Sequence, residues 1–182
     1  MLARVFGAAP RRCAFALALG LGLLSLPACD SDDGSDNDLS AVDGSYEAQQ
    51  FLFDANSTSD FNVNLLGELE QAPTLDIFAA DEEFFIRYEL ADDDQSRSSR
   101  LSGSVTRQGD ELRFDVQNGD AGDLLFPTGE GTNFRMQIED DGARIIAGSD
   151  GNGIELDAVD LRDYGVGQSS IDGKLTVRFE RE

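Results

Sequence analysis

The chain has no histidine, no tryptophan, two cysteines, four prolines and a single lysine, Lys174, in 182 residues. Each scarcity excludes something. Without imidazole there is no Ser–His or Cys–His pair for nucleophilic catalysis of the usual kind. A transition-metal site would lack its commonest ligand. No GxxxxGK[ST] phosphate loop is present. Positive charge is scarce: 14 Lys and Arg stand against 36 Asp and Glu, a formal net charge of −22. Phosphate contacts need Lys and Arg, so nucleic acid is not an expected partner. Docking on an anionic lipid surface is disfavoured for the same reason. Carboxylates are so many that no pair stands out as the paired acids of a glycosidase. The chain reads as non-enzymatic, with no catalytic residues and no cofactor.

One apolar run stands out, and it is N-terminal. Residues 1–12 carry Arg4, Arg11 and Arg12 and no acid, and residues 13–26 are rich in Ala and Leu. A basic start, a short apolar stretch and small residues before a cut make a secretory signal peptide, here residues 1–28. The run falls short of the roughly 20 residues that a membrane span needs. The stretch Leu26-Pro27-Ala28-Cys29 resembles a bacterial lipobox. The resemblance implies cleavage just before Cys29, a diacylglycerol on its sulfur and a third acyl chain on the new amino group. One chain anchors only marginally, and several anchor stably. The expected partner is therefore the membrane, held through acylated Cys29. The alternative, ordinary secretion with cleavage after Ala28, leaves an unpaired thiol in an oxidising compartment. The expected location is the bacterial cell envelope, facing the periplasm. Asp30 resembles the inner-membrane retention signal of enteric bacteria, and inner versus outer membrane stays open.

Past Cys29 the chain is acidic and polar. Residues 29–43 read as the lipidated cysteine followed by a disordered tether that buries too little to fold. Such a tether reaches about 20 Å on average. DSDDGSDND looks superficially like a calcium loop, but its glycine comes one place early and no bidentate Glu closes it. GSDGNGIELDAVD fails likewise. With Gly153 as the loop glycine, Gly148 stands where the first Asp belongs and Val159 where the closing Glu belongs. It reads as a hairpin turn, and Asp92-Asp93-Asp94 as a solvated loop. No metal site is expected. Removal of residues 1–28 takes away three arginines and no acid, so the mature 154 residues carry a formal charge of −25.

Residues 44–182 read as one domain of short strands. Leu112, Phe114 and Val116 alternate with polar neighbours. So do Phe134, Met136 and Ile138, then Leu175, Val177 and Phe179, and likewise Phe84, Ile86, Tyr88 and Leu90. One apolar and one wet face mean antiparallel sheet. Gly109, Asp141-Gly142, Gly151-Asn152-Gly153 and Asp172-Gly173 supply turns that tolerate positive φ. The spacing predicts hairpins 101–107 with 111–117 and 133–139 with 143–147. It predicts strands near 45–53, 74–79, 84–90, 100–107, 111–117, 133–139, 143–148, 154–162 and 174–181. The apolar phase shifts after Ala158, which predicts a bulge there. Only 63–69 suggests a helical turn. The fold class is all-β: an antiparallel meander of eight or nine strands closing into a barrel, with a β-sandwich as the alternative.

The order of strands resembles that of small bacterial lipocalin-like (calycin) barrels. Gly44-Ser45-Tyr46 resembles their Gly-x-Trp opening, with Tyr for Trp. FNVNLLGELE resembles their insertion before the second strand, and KLTVRFERE their closing strand. The resemblance implies an arginine packed over the first-strand aromatic, and Arg178 is preferred over Arg181. It also implies a cup for a lipid or other small apolar ligand. The candidate lining is Tyr46, Tyr88, Phe114, Met136 and Phe179, a set that would serve equally as solid core. The alternative is a structural or adaptor lipoprotein contacting another envelope protein. Its candidate surfaces are the loops 91–100 and 118–132, the second carrying Leu124-Leu125-Phe126-Pro127 as either a cap on the barrel mouth or a partner contact.

Overall fold

The computed structural model describes residues 38–55, 62–90, 97–119, 125–127, 131–148, 153–162, 167 and 170–182. Residues 1–28, expected as a signal peptide, Cys29, most of the segment expected as an acidic tether and Asp92–Asp94 lie outside the described residues.

Alternation and turn chemistry produce ten antiparallel strands. They are β1 (Gly44–Ala55), β2 (Asn62–Asn64), β3 (Leu69–Phe78), β4 (Glu83–Leu90), β5 (Arg97–Gln108), β6 (Glu111–Gly119), β7 (Asn133–Glu139), β8 (Arg144–Ala147), β9 (Ile154–Val159) and β10 (Ile171–Arg181). Eight of them, β1, β3 to β8 and β10, follow one another around a barrel that closes through β1 and β10. The extra strands fill edges at one end: β2 pairs Leu52–Asp54 of β1, and β9 pairs the first half of β10. The sheet is a closed barrel, not a sandwich.

Strand direction gives the barrel two unlike ends. At the turn end β3–β4, β5–β6 and β7–β8 are joined by connections of two to four residues, 79–82, 109–110 and 140–143. At the loop end the connections 91–96, 120–132 and 160–170 are longer. Inward residues form one core, with Phe51, Phe53, Phe84, Phe114, Val177 and Phe179 all at 0% exposure.

Three departures from regular alternation shape the wall. In β1 the register with β10 shifts between Ala48 and Gln50. Tyr46 and Ala48 face inward before the shift, and Phe51, Phe53 and Ala55 after it. In β3 two bulges set Glu70, then Ala72 and Pro73, against too few partners on β4. Pro73 cannot donate to a ladder. These bulges hid the first half of β3, expected to start only near Thr74. In β9 the shift near Ala158, whose φ is 55°, keeps Ile154 and Leu156 buried and turns Val159 back toward the core. The bulge expected there is present. Residues 65–68 form a 3₁₀ turn where a helical turn was expected, with Asn64 accepting from Leu66 N–H at 3.1 Å.

Residues 38–43, the end of the segment expected as a tether over 29–43, are structured. Ser40–Val42 form a 3₁₀ turn, and Leu39 and Val42 are buried against the turn end of the barrel. The Asp38 carboxylate accepts from Ser40 N–H at 2.8 Å and from its Oγ–H at 2.9 Å. Two apolar side chains three residues apart suffice to seat this segment. An average over the surrounding aspartates conceals them.

Candidate functional site

The expected lining residues are all inside the barrel, but they fall into separate neighbourhoods. Tyr46 is at the turn end, in a polar knot. Its hydroxyl lies 3.0 Å from Val42 O and 2.9 Å from Gly142 O, and its one proton serves either carbonyl. Arg181 donates to Tyr46 Oη at 2.7 Å and to Ala41 O at 2.7 Å. Its guanidinium lies over the Tyr46 ring at 5.2 Å from the centroid. Burial raises the Tyr46 pKa above 10, opposed by the Arg181 hydrogen bond. Gly142 is required here: φ is +88° and an added Cβ would come within 2.2 Å of Ala41 O.

The arginine over Tyr46 is therefore Arg181, which corrects the preference for Arg178. The reason is parity. Leu175, Val177 and Phe179 point inward, and Arg181 continues that series. Arg178 belongs to the other face and makes an ion pair with Glu180 at 3.4 Å.

Tyr88 and Phe114 belong to a continuous aromatic path across the barrel. Tyr88 meets Phe51 at 6.0 Å, and Phe51 stacks on Phe126 at 6.0 Å and 29°. Phe126 meets Phe134 at 5.7 Å, and Phe134 lies flat on Phe114 at 5.0 Å and 9°. Phe84 closes the series edge-on to Phe114 at 5.0 Å. Met136 and Phe179 are buried in the same core, at 1% and 0% exposure.

Phe126 differs in origin from the other rings. It comes from the β6–β7 connection, not from the wall. Leu125 and Phe126 are 1% and 2% exposed. The Leu125 N–H donates to Tyr88 Oη at 2.9 Å. Of the two roles set out for the apolar tetrad, these two residues fill the first and cap the barrel from within. Leu124 lies outside the described residues. Leu65 and Leu161, from two other connections, are also 0% exposed.

Sequence reasoning missed Phe51, Phe84, Phe126 and Phe134 as members of this group. Phe51 was hidden by the bulge that reverses parity in β1. Phe84 and Phe134 are on the inward faces already read from alternation, so their signal was available. Phe126 had a signal in composition, an apolar tetrad in a polar loop, but none for direction.

Among the described residues no group of three or more His, Cys, Asp or Glu is placed to hold a metal ion. Comparison with family models, curated proteins and solved structures finds no match.

Proposed function

We propose that this chain is a non-enzymatic, lipid-anchored protein of the bacterial cell envelope, whose lipocalin-like barrel binds a lipid or other small apolar molecule. The anchor is acylated Cys29, supported by the lipobox-like sequence around it. The reading of the barrel is carried by one observation: the aromatic path from Tyr88 to Phe84 is completed by a ring, Phe126, that the wall does not supply. An apolar ligand enters by taking the place of Leu125 and Phe126 between Phe51 and Phe134. Tyr88 Oη, which now meets a backbone N–H, then offers a polar contact to the ligand's head. Burying the Leu125 and Phe126 side chains stabilises by about 1.5–3 kcal/mol each, about 3–6 kcal/mol together. An alkyl chain of about ten methylenes, at about 0.8 kcal/mol each, exceeds that. A lipid-sized molecule can thus displace both side chains.

The second reading is an adaptor for another envelope protein. It is favoured by Phe78, which is 45% exposed on the outer wall and packs edge-on against Phe85 at 5.7 Å.

The test is titration of the purified chain with a fluorescent fatty-acid analogue, in the native protein and in Phe126→Ala. The expected result is saturable binding, competed by oleate, and tighter in Phe126→Ala. No saturable binding in either protein, with both folded, removes the ligand reading. Retention of Cys29→Ser in the membrane fraction after a high-salt wash removes the anchor.

A further inference from the structure

The outer wall carries a concavity whose floor reaches Tyr88 and Ser99, which are 2% and 1% exposed. A groove of about 450 Å³ runs across β3, β4 and β5 beside the chain end, and Ser45, Asp76, Arg87, Arg100 and Glu89 help to line it. This is within the range of small-molecule sites, about 300–1,000 Å³. It lies where the two β3 bulges interrupt the ladder with β4.

Its charges are organised. Arg87 and Arg100 are direct cross-strand partners. Like charges so placed repel. Arg87 is compensated by an ion pair with Asp76, itself only 7% exposed, and Ser45 Oγ–H donates to the other Asp76 oxygen at 2.6 Å. Arg100 has no carboxylate partner among the described residues. Its guanidinium lies over the Phe85 ring at 4.5 Å, a contact that orients it without neutralising it. The molecule contains its own control. Arg113 and Arg135 are also direct cross-strand partners. There, each is taken by an acid: Arg113 by Asp115 at 2.8 Å and Arg135 by Glu111 at 2.9 Å. Arg107 and Arg181 also lack a carboxylate partner among the described residues, but each donates to backbone carbonyls.

We infer that this groove binds a small zwitterion of the amino-acid type, its carboxylate on Arg100 beside the Arg87–Asp76 pair. Glu89 lies two residues beyond Arg87 on the same outer face of β4 and also lines the groove. It suits the ligand's ammonium group. Glu182, at the other border, makes a polyanion such as phosphate the poorer fit.

The experiment is an amide chemical-shift titration of the full chain with three probes: L-alanine, propionate, which lacks the ammonium, and ethylamine, which lacks the carboxylate. L-Alanine is expected to shift Thr74, Arg87 and Arg100 saturably, more tightly than propionate. Ethylamine is expected to leave Arg100 unmoved. A charge-assisted hydrogen bond lost with Arg100→Gln weakens binding by about tenfold or more. Arg113→Gln, at the neutralised pair, leaves it unchanged. Equal shifts at Arg113 and Arg135, no saturation up to tens of millimolar, or unaltered binding in Arg100→Gln would each overturn the assignment. Phe126→Ala, which changes the barrel interior, should leave L-alanine binding to the groove unchanged, so failure of either reading is told apart from failure of the other.

Discussion

Replacing Arg181 by Ala should unlock the turn end of the barrel, and replacing Arg178 should not. Arg181 donates to Ala41 O and Tyr46 Oη, both at 2.7 Å, and lies over the Tyr46 ring. A hydrogen bond to a charged group contributes about 1.5–3 kcal/mol, and an exposed cation–π contact about 0.5–1 kcal/mol. Arg181 is partly solvated, which lowers each figure toward its minimum. Two such bonds and the ring contact at their minima come to about 3.5 kcal/mol, so Arg181→Ala is expected to cost about 3–4 kcal/mol. Arg178 offers a solvent-screened pair with Glu180 at 3.4 Å. Such pairs contribute about 0–1 kcal/mol. The assay is urea unfolding, read as a change in midpoint at constant slope. Tyr46→Phe completes a double-mutant cycle with Arg181→Ala, and the coupling should be about 1 kcal/mol or more. Equal costs for Arg178→Ala and Arg181→Ala, or a cycle with no coupling, would refute this account of the closed end.

The Tyr46 knot also sets an alkaline limit. Its folded-state pKa is raised above the unfolded value of 10 by burial. The neutral hydroxyl is favoured only in the folded barrel, so this stability is complete below pH 10 and is lost as pH rises through the folded pKa. Unfolding free energy measured from pH 9 to 11.5 should fall less steeply in Tyr46→Phe than in the native chain; parallel curves would remove Tyr46 as the cause. Salt should act in the opposite sense. A formal charge of −22 on the chain repels itself, and 1 M salt shortens the screening length to about 3 Å. The purified protein should melt at a markedly higher temperature in 1 M NaCl than in dilute buffer at pH 7, and KCl should match NaCl. A rise produced only by micromolar calcium, and reversed by chelator, would expose a metal site among the aspartates.

Most of the barrel was legible because inward and outward residues alternate where the ladder is regular. Strands β4, β6, β7 and β10 and both expected hairpins follow from that rule. The phase change at Ala158 was legible too, since a slip in an apolar series has few physical explanations. Reading failed where a bulge reversed parity without leaving an apolar mark. Gln49 separates Tyr46 from Phe51, so the inward face of β1 changes in mid-strand. Ala72-Pro73 made the start of β3 read as a loop. The three-residue β2 was too short to show any period. For the candidate lining, alternation gave the inward direction but not the position along the barrel. Tyr46, Tyr88, Phe114, Met136 and Phe179 were chosen by burial, and all are buried. Burial alone does not say which end of the barrel a residue occupies. Tyr46 closes one end while Tyr88 and Phe114 meet the path through Phe126, which depends on where a loop turns back.

The most direct test of the ligand-binding reading is native mass spectrometry of the protein extracted gently from its own membranes. The account predicts one lipid-sized mass leaving the protein on collisional activation, beyond the covalent acyl mass retained at Cys29. It also predicts that this mass is weaker or exchanged after incubation with oleate. A chain that carries its covalent acyl groups and nothing else, and takes up no oleate when it is added, contradicts it.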